Sequence, residues 1–373
     1  MIKRNNCVIC SSPFLEHLTT FNNMPVFPHF HLKNEIFKTE NQTWVICKEC
    51  GCIQLENLIG LDELYGVSHN SITGKTWETH NNMFINYIEK NMGEKILEIG
   101  GGNLSICNIL IKKEKIKKYK LYDKNINIKK INSQIEYSET FFESNTKEEE
   151  KFNTIILSHT LEHFYNPKDY LEKFYNLLED NGKLIFSVPH IINGLKSYYT
   201  NALNFEHTYS IDMENINFLL YLTGFKYVDS IPFSDYNFFI TYEKSKKQVL
   251  SLENNYKRNK KIFNNYVNYY SKEAIRINKL LEKENSDGKY IFGCGPFSQF
   301  LIYMGLNIKD FSGVLDEDKN KQSHFLYGTE LCTFDPVVIK ELKNPIVILK
   351  AASYTTEISE RLISINNNVK IIK

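Results

Sequence analysis

No apolar run in this sequence approaches the roughly 20 residues needed to span a bilayer, so a membrane protein is not expected. The opening Met-Ile-Lys-Arg-Asn-Asn-Cys7 is basic but has no apolar stretch behind it, so it does not read as a secretory leader. A charge excess is also missing. Forty-five basic residues stand against 44 acidic ones, which argues against a dedicated nucleic-acid binder. Cysteine is scarce, with eight in 373 residues, and five of them come before residue 53. That distribution is unlike a secreted disulfide framework and fits a reducing cytoplasm. The glycine cluster near residue 100 has no Lys-Ser/Thr after it, which argues against a nucleoside-triphosphate P-loop.

What is present supports well-filled cores: 42% of residues are apolar and 13% aromatic. At 373 residues the chain is too long for one core, and two or three domains are expected. The spacing suggests a first module over 1–75, an alternating α/β domain over 76–242, a helical linker over 243–286 and a second α/β domain over 287–373.

The first module carries Cys7-x2-Cys10 and Cys47-x2-Cys50, with Cys52 beyond them. Two such turns can each offer two thiolates to one tetrahedral ion, and four thiolates leave no open position. A structural zinc is therefore expected, compensating for a segment too short to bury much core. Met24-Pro-Val-Phe-Pro28 reads as a proline-punctuated loop between the two turns.

In the second block, a helix is expected from Lys75 to Ile88, with Met83, Phe84, Tyr87 and Ile88 on one face. Lys95–Ile99 reads as a buried strand running into Gly100-Gly-Gly102, with Glu98 just before the turn. Gly100 and Gly102 would permit positive φ and close approach of a ligand. A strand over Lys118–Tyr122 delivers Asp123, placed to meet ribose hydroxyls. Lys147–Lys151 reads as a solvated charge run. The strand Phe152–Leu157 delivers Ser158-His159-Thr-Leu-Glu-His163, a helix follows over Tyr170–Leu178, and Asn181-Gly182 would stop it before a strand over Lys183–Val188. Such alternation implies a parallel, doubly wound sheet with its ligands at the strands' C-terminal edge. Glu206-His207 is a polar pair in aromatic surroundings, and a histidine beside a carboxylate can act as a general base.

In the last third, Ile262, Tyr266, Tyr269, Ile275, Ile277, Leu280 and Leu281 suggest one or two amphipathic helices. Lys289–Phe292 then runs into Gly293-Cys-Gly295-Pro-Phe-Ser298, and Phe311–Leu315 ends at Asp316. Cys294 and Cys332 read as buried small hydrophobes. Nicotinamide binding is disfavoured, because the loop lacks a third glycine and holds a proline.

On Leu97-Glu-Ile-Gly-Gly-Gly-Asn103, Asp123, Leu161-Glu-His163 and Gly182-Lys-Leu-Ile185, residues 75–240 resemble a class I methyltransferase that uses S-adenosylmethionine. The resemblance implies a Rossmann-like core and a cofactor site at Glu98, Gly100, Gly102, Asp123, Ser158 and His159. Leu104 stands where the family often has a third glycine. Taken whole, the chain resembles the sugar C-methyltransferases, which act on nucleotide-linked keto-deoxysugars. The carriers are the four cysteines, Cys50-Gly-Cys-Ile-Gln-Leu55, Leu64-Tyr-Gly-Val-Ser68, Glu206-His207, Gly293-Cys-Gly-Pro296, Val314-Leu-Asp316 and Tyr327-Gly-Thr329. This implies His207 as base with Glu206 beside it, His163 at the sugar, and Gly293, Gly295 and Ser298 near the substrate. It implies a small-molecule sugar-nucleotide partner and a monomer or weak homo-oligomer. The family's Tyr-His before Glu-His is Asn204-Phe205 here. An O- or N-methyltransferase of the same substrate class and a non-catalytic assembly module are the alternatives.

Overall fold

The computed structural model describes residues 2–27, 30–33, 35, 37–65, 75–351 and 354–373. By their contacts these form two compact units. One holds Met1–His17, Trp44–Asn193 and Glu206–Asn259; the other holds Leu18–Thr43, Gly194–Phe205 and Lys260–Lys373. The division differs from four consecutive blocks. Both cysteine turns fall in the unit of the central sheet, whereas the segment between them falls in the unit of the last third. That segment is not the expected loop. Strands β1 (Leu15–Pro25) and β2 (Thr39–Cys47) occupy most of it, and β3 (Ile53–Leu55) follows the second turn. Pro28 and residues 66–68 of the quoted motifs lie outside the described residues.

In the first unit, helix α1 (Lys75–Asn91) precedes β4 (Lys95–Ile99), α2 (Cys107–Leu110), β5 (Lys118–Tyr122), β6 (Glu136–Ser138) and β7 (Phe152–Ser158). Then come α3 (Pro167–Leu177), β8 (Leu178–Pro189), α4 (Met213–Thr223), β9 (Phe225–Pro232) and β10 (Asn237–Lys244). The seven strands lie in the order β9-β10-β8-β7-β4-β5-β6. Pairing is parallel from β8 through to β6. Strand β10 runs against both of its neighbours, and it alone breaks the parallel pattern the alternation implied.

The inner strands are apolar at nearly every position because both faces are covered. Leu97, Ile155, Leu157, Leu184 and Phe186 feed one core, and Ile96, Leu121, Ile156 and Ile185 feed the other. Helix α1 buries His80, Phe84, Tyr87 and Ile88, while Met83, expected on that face, is 38% exposed. Pro167 opens α3, whose Tyr170, Leu171, Phe174 and Leu177 face the core. The helix ends at Leu177, and Asn181-Gly182 lies inside β8 instead of stopping α3. The Lys147–Lys151 run is not wholly solvated. Glu148 is buried, accepts the Tyr122 hydroxyl at 2.8 Å and pairs with Lys120 at 2.5 Å.

In chain order, α5 (Tyr256–Leu281) begins in the first unit and runs on into the second as one 26-residue helix. It buries Phe263, Tyr266, Tyr270, Ala274, Ile277 and Leu281, while Ile275 points outward. Strand β11 (Gly288–Phe292), helix α6 (Pro296–Tyr303), β12 (Gly313–Leu315), β13 (Thr333–Phe334), β14 (Pro345–Ile348), α7 (Thr355–Ile365) and β15 (Lys370–Ile372) complete the second unit. Its five strands lie in the order β13-β12-β11-β14-β15, all parallel. No helix among the described residues is long and apolar enough to cross a membrane.

Leu104 takes φ +63°, the left-handed conformation that glycine adopts without strain. Its side chain is 3% exposed and packs with Ile106, Cys107 and Leu110. Burial of a leucine contributes about 1.5–3 kcal/mol, against about 1–2 kcal/mol for the backbone. Glycine would relieve the strain but lose the packing and add chain entropy. Leu104→Gly should therefore lower stability by about 1–2 kcal/mol, read as a lower urea midpoint at unchanged slope.

Candidate active site

The loop after β4 is held from three sides. Gly100 has φ +82°, and a Cβ there would lie 2.3 Å from Thr160 Oγ1. A Cβ on Gly101 would lie 2.4 Å from Glu98 Oε1, and one on Gly102 2.6 Å from Asp123 Oδ1. Each glycine is thus required by a different neighbour. Gly102 needs the space and not the positive φ, which falls on Leu104 instead.

Glu98 lies beneath this loop, on the strand face of Ile96, and is 1% exposed. The Tyr119 hydroxyl donates to its Oε2 at 2.6 Å. Burial pushes its carboxyl up to about 8, so it keeps its proton at neutral pH. Asp123 accepts from the amides of Gly102 at 3.0 Å and Asn125 at 2.6 Å. Burial raises its pKa while these two donors oppose the rise. Asp123 and the glycine loop meet beside the point where the strand order reverses, between β4 and β7, where open α/β sheets bind their ligands. A carboxylate beside backbone N–H groups suits a diol-bearing, partly anionic molecule, and the residues present fit S-adenosylmethionine.

Across that point, β7 ends at Ser158 and His159 takes φ +50°. His159 Nε2 lies 3.3 Å from His80 Nε2 and 3.2 Å from Ser187 Oγ, and its Nδ1 lies 3.4 Å from Glu162 Oε1. Burial pushes both His159 and His80 down to about 3, so both are neutral at physiological pH. Trp77 packs edge-on against the two rings.

A single 3-10 turn, Leu161–His163, then presents His163. Its Nδ1 meets the Tyr65 hydroxyl at 2.9 Å and the Glu206 carbonyl at 3.1 Å, and its ring lies 5.6 Å from that of His207. The fold therefore brings His163, Glu206 and His207 together, with donor atoms of Glu162, His163 and His207 within 4.8 Å of one another. It is the Glu206 backbone that touches His163.

His207 is placed by its neighbours in sequence. Leu55 N donates to Thr208 O at 3.0 Å, and Ser210 N donates to Ile53 O at 2.6 Å, so β3 carries this segment. The buried Arg4 guanidinium donates to the carbonyls of Thr208 and Tyr165, each at 2.6 Å. Arg4, Tyr65, His80, Glu162 and Ser187 were not singled out from the sequence. Only Tyr65 and Glu162 carried a signal, since both lie inside quoted motifs.

The strand β3 leaves directly from the second cysteine turn. Cys7 and Cys50 sulfurs are 3.5 Å apart, as are those of Cys10 and Cys47, and all four lie within 4.8 Å. A tetrahedral ion with four bonds of about 2.3 Å needs sulfurs about 3.8 Å apart, so the donor set fits zinc. The two turns have the same build. Ser11 N donates to Cys7 O and Gly51 N to Cys47 O, each at 2.9 Å, with Ser11 and Gly51 both at positive φ. Cys52 is buried outside the four-sulfur group, its thiol directed at Ile53 O.

In the second unit, Gly293 has φ +100° and leads to Gly295 and the start of α6. Ser298 is buried, and its hydroxyl donates to the carbonyls of Gly293 at 2.5 Å and Phe292 at 3.2 Å, so it braces the loop from within. Cys294 N donates to Asp316 Oδ2 at 2.8 Å, and Asp318 N donates to Asp316 Oδ1 at 2.9 Å. This repeats the arrangement at Asp123, with Lys321 Nζ added 3.3 Å from Asp316.

Gly100→Ala would place a methyl group against Thr160 at a φ that costs about 1–2 kcal/mol for an L-residue. Affinity for S-adenosylmethionine, read by calorimetry, should fall about tenfold or more, with the far-ultraviolet dichroism unchanged.

Residues 81–230 match a family model described as a methyltransferase domain. No curated protein matches the sequence. Among solved structures, the chain is similar to an S-adenosylmethionine-dependent methyltransferase from Clostridium acetobutylicum ATCC 824, at 13% identity over 47% of this chain and 93% of that one, TM-score 0.36. It is also similar to N-methyltransferase NodS from Bradyrhizobium japonicum WM9 in complex with S-adenosyl-L-homocysteine, at 12% identity over 46% and 89%, TM-score 0.37. A third is PH0226 protein from Pyrococcus horikoshii OT3, at 15% identity over 50% and 100%, TM-score 0.41. With the family match spanning the glycine loop, Asp123, His163 and His207, the chain carries a methyltransferase domain over residues 81–230 and is a methyltransferase.

Proposed function

We propose that the methyl acceptor is a nucleotide-linked keto sugar and that the methyl group goes to carbon. The observation that carries this reading is the gathering of His163 and His207 beside Tyr65, at the sheet edge that also holds the glycine loop. A ketone acidifies the neighbouring C–H. His207 takes that proton, and the oxygen that gains charge is met by hydrogen-bond donors from Tyr65 and His163. S-adenosylmethionine supplies the methyl group when bound beside Gly100–Gly102 and Asp123. Proton removal, alignment and charge stabilisation together perform the catalysis. Gly293, Gly295 and the Ser298-braced loop of the second unit are assigned to the sugar nucleotide, on the motif resemblance. The protein is assigned to the cytoplasm as a monomer or weak homo-oligomer.

Zinc at Cys7, Cys10, Cys47 and Cys50 is assigned a structural role. Through β3, it would hold the backbone on which His207 stands. Transfer to oxygen or nitrogen of the same substrate class is the second reading, since His207 can equally deprotonate a hydroxyl or amine. NMR of the product separates the three, because a methyl on carbon differs plainly in shift from one on oxygen or nitrogen.

Two outcomes follow. His207→Ala should lower kcat on a nucleotide-linked keto sugar by about 10²–10⁴-fold, with S-adenosylmethionine affinity within about twofold of wild type; turnover near wild type would sink the base assignment. Cys47→Ser should lose the single zinc measured by plasma mass spectrometry and lower Tm by about 10 °C. An unchanged zinc content and Tm would remove the metal from the account.

A further inference from the structure

Arg4 lies just before the first cysteine turn and is only 8% exposed. Its backbone is fixed to the stretch that follows β3. Ile2–Lys3 pairs antiparallel with Asn57–Leu58, and Arg4 N donates to Glu56 O at 2.8 Å. From there the side chain reaches two other segments of the same unit. Nη1 donates to Thr208 O at 2.6 Å, and Nη2 donates to Tyr165 O at 2.6 Å and to Thr208 Oγ1 at 3.0 Å. Tyr165 stands two residues past His163, and Thr208 is the next residue after His207. One planar group therefore holds the backbone beside both histidines.

The turn that carries His163 needs such support. It is a single 3-10 turn, a geometry whose own hydrogen bonds are poor. Its carbonyls are met from outside: Leu161 O by the Tyr209 hydroxyl at 2.8 Å, Glu162 O by Thr208 N at 3.3 Å, and Phe164 O by the Thr208 hydroxyl at 3.3 Å. Arg4 meets the next carbonyl along, that of Tyr165. The two Thr208 bonds are long, whereas both carbonyl bonds from Arg4 are short and charge-assisted, which makes them the stronger kind. A guanidinium also fixes direction, because its N–H groups form a rigid fork. Burying this cation with its Nε unmet among the described residues opposes folding. Packing alone therefore gives no reason for an arginine here.

We propose that Arg4 is a positioning residue for methyl transfer: its guanidinium, donating to Tyr165 O and Thr208 O at once, sets the separation of His163 from His207. The inference rests on the reading above, in which His207 takes the substrate's proton and His163 stands at the sugar. The two ring centroids lie 5.6 Å apart. A misplacement of about 1 Å can lower turnover about 10²-fold. The cofactor loop is spared, since the bonds of Arg4 go to none of Gly100, Gly101, Gly102 or Asp123.

The test uses the full-length, zinc-loaded protein as wild type, Arg4→Lys and Arg4→Gln. Lysine keeps the charge and glutamine removes it, and neither can hold two carbonyls as the planar fork does. Thr223→Ala serves as the stability control, because it removes a buried hydroxyl bond to Leu219 O in α4 of the same unit. The activity arm uses a nucleoside-diphosphate 4-keto-6-deoxyhexose. Either Arg4 variant should lower kcat about 10–100-fold, with KM and S-adenosylmethionine affinity within about twofold of wild type and zinc retained. Thr223→Ala should lower the urea midpoint and keep kcat within about twofold of wild type. An Arg4 variant with wild-type kcat overturns the proposal. So does a control that loses as much kcat as the Arg4 variants, since the effect is then one of stability.

A second arm needs no sugar. With histidine labelled by 13C and 15N, and signals assigned through His163→Asn and His207→Asn, the two rings should give a through-space NMR cross-peak in the wild type. That cross-peak should weaken or vanish in the Arg4 variants and persist in Thr223→Ala. A wild type without it overturns the proposal even if neither Arg4 variant folds, and so does an Arg4 variant whose cross-peak matches the wild type. A wild type that methylates no keto sugar sinks the substrate reading alone, and the cross-peaks then decide this inference.

Discussion

A carboxylate at the end of a strand, accepting N–H groups from the neighbouring glycine loop, is the interaction on which that edge of the central sheet depends. Asp123 ties Gly102 to Asn125 and so fixes the distance between the first two parallel strands' C-terminal ends. The loop can come this close only because Gly100, Gly101 and Gly102 each lack a Cβ that Thr160, Glu98 or Asp123 would meet. Glu98 completes the support from below, as a neutral carboxyl bonded to Tyr119. The second unit repeats the tie at Asp316, with Cys294 in place of Gly102. Two sheets in one chain, one mixed and one parallel, thus make the same tie with the same chemistry.

The opposite wall of the site is a buried polar network. Ser187, His80, His159, Glu162, His163 and Tyr65 follow one another at separations from 2.8 to 4.0 Å. In a dry interior each proton position constrains the next, so the network behaves as a unit. Burial holds His80 and His159 neutral within it.

The cysteine turns connect to this wall through the backbone. Cys47–Cys50 runs into β3, and β3 bonds to Thr208 and Ser210 on either side of Tyr209. Arg4 adds a clamp from the stretch just before the first turn. A metal-type cluster 40 residues apart in sequence, Cys7 to Cys47, thereby bears on the position of one histidine.

Periodicity and spacing were enough for most of the elements. Apolar runs of five to seven residues marked the parallel strands, because strands covered on both faces admit little else. The same rule reached the four cysteines, since C-x2-C is a local turn whose two thiolates point one way whatever lies around it. Asp123 and the glycine loop were legible for the same reason. What local pattern cannot carry is which long-range neighbour a side chain meets. Met83 and Ile275 have the right spacing for a buried face yet point outward, and Glu148 sits in a charged run yet is buried against Tyr122 and Lys120. Glu162, Tyr65 and Arg4 became part of the site only when the fold brought 65, 163 and 206 together. Leu104 shows the division most plainly. Its sequence marked a missing glycine; the structure keeps the glycine-like backbone at φ +63° and offsets the strain by burying the leucine in the core. The sequence by itself determined most strands and the two cysteine turns, because these follow from contacts between near neighbours. The tertiary structure alone decided burial and which polar groups meet which histidine, because those depend on residues far apart in the chain.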